Sequence, residues 1–260
     1  MILRRFAQAL KEQNWTSITI EFALLVLGVF LGIQVANWNQ AQADERRGRA
    51  YAITLGSDLE QDLASRKALV SYYEAVLASV ERADALLADP DADPNALLVA
   101  AYRASEINYR PPLRATWDEI VSSGDTGLLP RAAARAAAEY FASDAARTTF
   151  DRLSVSPYRR NVRRLMPLPV QHALRAGCGD VRDAEQRIVG FMPDCTLEIS
   201  PELIRSVSAA LRADSTLQAD LRFQYTDVYQ AHANTRGLVA SIEKALTALH
   251  AAQPSVEVKP

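Results

Sequence analysis

The two cysteines, Cys178 and Cys195, carry the clearest chemical signal in the chain. In an oxidising compartment they close a loop of about 18 residues, which removes roughly 3 kcal/mol of entropy from the unfolded chain on the loop-closure model. Gly177, Gly179, Gly190 and Pro193 make that loop irregular, so a covalent staple suits it. Two reduced thiols are the competing reading. A zinc pair with His172 lacks a fourth ligand.

A second cluster is Tyr158-Arg159-Arg160-Asn161-Val162-Arg163-Arg164. Its i, i+1, i+4, i+5 spacing predicts that Arg159, Arg160, Arg163 and Arg164 share one helical face, a contact for anionic headgroups or an acidic partner. A solvated, salt-bridged face competes with that reading. In Ser122-Ser123-Gly124-Asp125-Thr126-Gly127 the backbone amides suit either an anion cradle or a plain interhelical turn. Trp117 just before it reads as a core anchor, and lining of a ligand pocket is the alternative. His172, His232 and His250 have no ligand-spaced partners. No HExxH, GxxxxGK[ST], GxSxG or GxGxxG occurs, so the sequence predicts no enzyme, no metal site and no cofactor.

The elements that position these residues begin with Ile18 to Ala36, where Thr19, Glu21 and Gln34 are the polar interruptions. As a helix this stretch spans about 28 Å, close to the hydrocarbon thickness of a bilayer. Trp15 and Trp38 flank it at the depth where indoles prefer the headgroup layer. At about 100° per residue, Gly28 and Gly32 lie about 20° to either side of Glu21, so a carboxyl group and a GxxxG step share one face and predict helix packing in the membrane, with Glu21 reaching the headgroups and a chance GxxxG as the competing reading. A cleaved signal peptide ending at Ala41-Gln42-Ala43 competes, but the apolar segment is long for one. Flanking arginines and lysines tie: Arg4, Arg5 and Lys11 before the span, Arg46, Arg47 and Arg49 after it. The N-terminal amine, the short N-terminus before a long C-terminal domain and the cysteine pair all point to residues 1–17 in the cytoplasm, with a transmembrane helix at 18–36, a periplasmic helical bundle at 37–252 and a disordered tail at 253–260.

A net charge of -2 and a pI near 6.0 exclude a globally basic nucleic-acid binder. Only Gly48 weakly interrupts the stretch after the span, so the first helix is expected to run on. The 4,3 seam Leu59, Leu63, Arg66, Val70, Tyr73, Leu77, Val80, Asp84, Leu87 ends at Asp89-Pro90. A matching seam at the other end is Leu217, Leu221, Gln224, Val228, Ala231, Thr235, Leu238, Ile242, Ala245, Leu249. Between them the spacing predicts a helix over 95–105, one opened by a Thr116-x-x-Glu119 capping box, one over 131–153 and one over 202–213 capped by Ser200-Pro201. Ile188, Val189 and Phe191 suit a small β-hairpin around 186–197. The class is all-α: an N-terminal transmembrane helix followed by a bundle of about five or six helices.

The tract Ile20-Glu21-Phe22, Val26-Leu27-Gly28-Val29-Phe30-Leu31-Gly32 and Gln34-Val35-Ala36-Asn37-Trp38-Asn39 resembles the N-terminus of an uncharacterised family of bacterial single-pass membrane proteins. The run from Thr116 to Leu129, followed by Glu139-Tyr140-Phe141, is similar to a second stretch of that family. Gln40 departs from the acidic residue that commonly follows Asn-Trp-Asn, and the Cys178–Cys195 loop is not a family feature. The resemblance implies a bacterial membrane-anchored helical domain and supplies no catalytic residue. The expected role is a scaffold or accessory subunit touching membrane lipid and another membrane protein or a second copy of the chain. The alternative is a ligand-binding sensory bundle that signals through a partner.

Overall fold

The computed structural model describes residues 15–193 and 195–251, with side chains from Thr19 onward. The side chain of Trp15, most of segment 1–17 and the tail at 253–260 lie outside the described residues. The fold is all-α, at 78% helix against 3% strand. Two units divide at Tyr51 and Ala52.

Helix α1 (Trp15–Ala88) passes Gly28, Gly32, Gly48 and Gly56 without a break, since isolated glycines cost a helix only about 1 kcal/mol each. Its residues in the first unit include one stretch long and apolar enough to cross a membrane, and none of that stretch is buried in the protein.

The second unit comprises the rest of α1 followed by α2 (Pro94–Ala104), α3 (Ala115–Ser122), a 3-10 turn (Asp125–Leu128), α4 (Arg131–Ala142), α5 (Ala145–Ser154), α6 (Pro157–Leu165) and α7 (Leu168–Gly177). Then come the strands β1 (Asp180–Arg182) and β2 (Ile188–Phe191), α8 (Pro201–Ala213) and α9 (Leu217–Ala251). Short polar side chains set several starts: Asp93 accepts from the amides of Asn95 and Ala96, Ser156 from Arg159 and Ser200 from Leu203, each just before a proline. Arg212 on α8 closes the end of α1 by donating to the carbonyls of Leu86, Asp89 and Ala92.

All ten residues of the predicted α9 seam are buried. The α1 seam matches its prediction at Leu59, Arg66, Tyr73 and Val80 and is shifted by one residue at the alternate positions. The buried stripe is Leu55, Leu59, Asp62, Arg66, Leu69, Tyr73, Val76, Val80 and Ala83, again in alternating steps of 4 and 3, while Leu63, Val70 and Leu77 are half-buried. Counting apolar residues skipped Asp62, which is buried because partners satisfy its carboxylate. Across the two long helices Lys67 meets Glu243 at 2.9 Å, Glu74 meets His232 at 3.3 Å and Asp84 meets Gln218 at 3.1 Å, so α1 and α9 run antiparallel. Helix α9 also packs on α4, α5 and α6, and α2 packs on α8.

Four other expectations need correction. Thr116 does not cap a helix; it lies inside α3, whose N-cap is Arg114, and its hydroxyl donates to Asp58 at 2.6 Å. The run 131–153 breaks at Ser143–Asp144 into α4 and α5, both amphipathic enough to turn separate faces inward. Eight helices follow α1 among the described residues, because α6 and α7 are short and carry proline starts. The hairpin lies at 180–191, not 186–197. Val181 pairs with Gly190 and Arg182 with Ile188, and the Asp183 carboxylate holds the turn by accepting from the amides of Glu185 and Arg187. Gln186 takes the left-handed position at φ 63°.

Candidate functional site

Cys178 and Cys195 are joined by a disulfide with Cα atoms 5.1 Å apart, a separation that suits the bond. Helix α2 holds both ends of the loop. Asn95 donates to the Cys195 carbonyl at 3.3 Å and accepts from the Leu197 amide at 3.1 Å. Arg103, about two helical turns further on, donates to the carbonyls of Cys178 at 3.3 Å and Met192 at 2.7 Å, with its guanidinium over the Phe191 ring. Gly179 is required by close approach, because a Cβ there would lie 2.9 Å from the Arg175 carbonyl oxygen.

The four arginines of α6 do not share one exposed face. Arg160 and Arg164 are exposed, whereas Arg159 and Arg163 turn inward. Arg159 bonds the Ser105 carbonyl, and Arg163 pairs with Glu106 at 2.5 Å while its guanidinium lies 3.6 Å from the centre of the Tyr102 ring. The reason is Ser156-Pro157, which starts α6 so that Tyr158 and Val162 enter the core. Residues i+1 from that pair then lie at its edge, close to the end of α2. Burial, with Arg163 beside it, lowers the proton affinity of Arg159.

Where α2 ends against β1, Tyr102, Arg103, Glu106, Arg175, Asp180 and Phe191 border a concavity of about 180 Å³. Burial, and then the nearby Glu106 carboxylate, raise the pKa of Asp180 above the ordinary carboxylate value. Burial first, and then the Glu106 and Asp180 carboxylates, push the Tyr72 pKa well up. The sequence reading missed this place because its two walls are some seventy residues apart and only the disulfide loop hinted at their meeting.

The remaining predicted residues stay apart from it. Trp117 is buried and stacks on Phe141 at 5.6 Å, a core anchor. Gly124, at φ 74°, and the 3-10 turn after it make Ser122–Gly127 an interhelical turn. His172 and His250 are exposed, and among the described residues no group of three or more His, Cys, Asp or Glu side chains could hold a metal ion. In the first unit Trp38 is exposed, and a Cβ at Gly28 or Gly32 would meet nothing within 4 Å, so the stripe they form with Glu21 is open. Comparison with protein families, curated proteins and solved structures finds no match to this chain.

Proposed function

We propose that the chain is a single-pass accessory subunit of a bacterial inner-membrane complex, with its helical domain in the periplasm and its membrane helix docked on another helix. The observation that carries this reading is the apolar stretch of α1. Its large side chains from Ile20 to Val35 are exposed, and a carboxyl group and two glycines form one stripe along it. Lipid accounts for the apolar surface. Glu21 calls for more, since an ionised carboxyl within the bilayer costs about 2.5 to 3.5 kcal/mol at a helix centre and less near an end. A close helix neighbour at Gly28 and Gly32 supplies packing contacts and a polar partner together. The Cys178–Cys195 disulfide supports an oxidising compartment for the second unit, and the resemblance of the 20–39 tract supports a bacterial source. No catalytic residue is assigned.

The test is a Gly28→Ile, Gly32→Ile double variant in a membrane two-hybrid assay and by crosslinking. Association should fall about tenfold or more, equivalent to about 1.4 kcal/mol. Unchanged association would refute this interface. Topology is tested separately. A reporter fused after Pro260 is expected to be active only in a form that works outside the cytoplasm. Recovery of a mature chain beginning at Asp44 would replace the anchor with a cleaved signal peptide.

A further inference from the structure

From Thr19 to Trp38 the one ionisable side chain is Glu21. Five turns of α-helix at 3.6 residues each make 18 residues, so Asn39 stands in line with Glu21 along α1, about 27 Å further on. Gly28 and Gly32 lie about 20° to either side of that line, and Leu25 and Val35 about 40°. One stripe therefore runs from a carboxylate, over a flat glycine step, to an amide. On the single-pass reading lipid surrounds its first end, and among the described residues Glu21 and Asn39 make no hydrogen bond or ion pair. An ionisable group in a membrane span calls for a named partner.

A second copy is a poor one. Two copies inserted in the same orientation pair about a two-fold axis, which sets Glu21 at the same depth as its own counterpart and on the facing side. Like charges repel there, and lipid screens them less than water does. A different helix with a cation at that depth meets the carboxylate and still packs on the glycines.

We propose that the Glu21–Asn39 stripe docks a membrane helix of a different chain, one that carries a lysine or arginine opposite Glu21. The inference rests on the docking reading above and deepens it by giving the partner's chemistry. The first probe is the full-length chain with Glu21→Lys, which keeps both glycines and supplies a cation at the matching depth. In a membrane two-hybrid assay, wild type with the Glu21→Lys copy should associate about tenfold more strongly than either chain with itself. The second probe is a photo-crosslinking amino acid in place of Leu25, activated in native membranes. The crosslinked peptide should come from another chain and hold Lys or Arg in an apolar stretch, and Glu21→Gln should lower its yield about tenfold. Wild-type self-association as strong as the mixed pair, or an adduct of two copies, would overturn the proposal in favour of a homodimer. Full yield in Glu21→Gln would also overturn it and leave Glu21 to the headgroups. Yield lost in Gly28→Ile, Gly32→Ile but kept in Glu21→Gln refutes the cation alone. Yield unchanged in the glycine variant, or no adduct at all, refutes the docking reading itself.

Discussion

Truncating Asp62 by Asp62→Ala is expected to destabilise the helical domain by about 1 to 3 kcal/mol for each buried donor it leaves unpaired, the Leu113 amide and the Tyr140 hydroxyl. Asp62 and Arg66 are each 2% exposed, one helical turn apart on α1. The Asp62 carboxylate accepts from the Leu113 amide at 3.0 Å and the Tyr140 hydroxyl at 2.8 Å, and Arg66 donates to the Arg110 carbonyl at 2.7 Å. The pair thereby pins the 108–114 segment and α4 to α1. Replacing both with apolar residues, Asp62→Leu with Arg66→Met, should cost less than the sum of the two single changes, since no charge is then left buried alone. Chemical denaturation followed by circular dichroism gives both numbers. Additive single effects would contradict the coupling.

The same carboxyl group gives a pH signature. Burial raises its pKa above 3.8, against the hydrogen bonds from Tyr140 and Leu113 and the charge of Arg66. The folded chain therefore binds this proton more tightly than the unfolded chain. Its contribution to stability is largest below the unfolded value and declines as pH rises through the folded one. Asp62→Asn should remove that decline, which denaturation midpoints measured from about pH 3.5 to 6.5 would detect.

Loss of the disulfide should have the next largest effect. Cys178→Ser with Cys195→Ser is expected to cost about 2 to 4 kcal/mol, mostly by releasing the unfolded chain. In the folded protein, Asn95 and Arg103 still hold the loop through four hydrogen bonds. At about 1 kcal/mol each they are enough to keep the loop docked in the variant. Unfolding should therefore shift while the far-ultraviolet spectrum of the folded state stays the same. A shift below about 0.5 kcal/mol would show that the loop contributes no closure entropy.

What the sequence made legible follows from how local each signal is. Helix α9 was read in the right phase because its polar seam positions, Gln224 and Thr235, are flanked by enough aliphatic residues to keep the period visible. In α1 every second seam position is legible, at Leu59, Arg66, Tyr73 and Val80, and the positions between are displaced by one residue; at Asp62 the reason is that partners from 113 and 140 bury it, and no local pattern announces them. Ser200-Pro201 was a true start because its hydroxyl bonds within the next turn, whereas Thr116 is diverted to Asp58 on another helix. The hairpin was placed too late because its first strand, Asp180-Val181-Arg182, has two charged residues in three and a single β-branched one. The membrane stretch and the cysteine pair were readable from composition and spacing. The concavity was not, since Tyr102 and Asp180 come to border it only through tertiary packing.

We propose that the chain works as an uncleaved membrane subunit bound to a second helix. Native mass spectrometry of the full-length protein extracted into nanodiscs tests it most directly. The expected result is an intact N-terminus and a stoichiometric complex, either with a second copy or with another membrane protein, that dissociates in the Gly28→Ile, Gly32→Ile variant. A chain that begins at Asp44, or one that stays monomeric with Glu21 and both glycines in place, would contradict it.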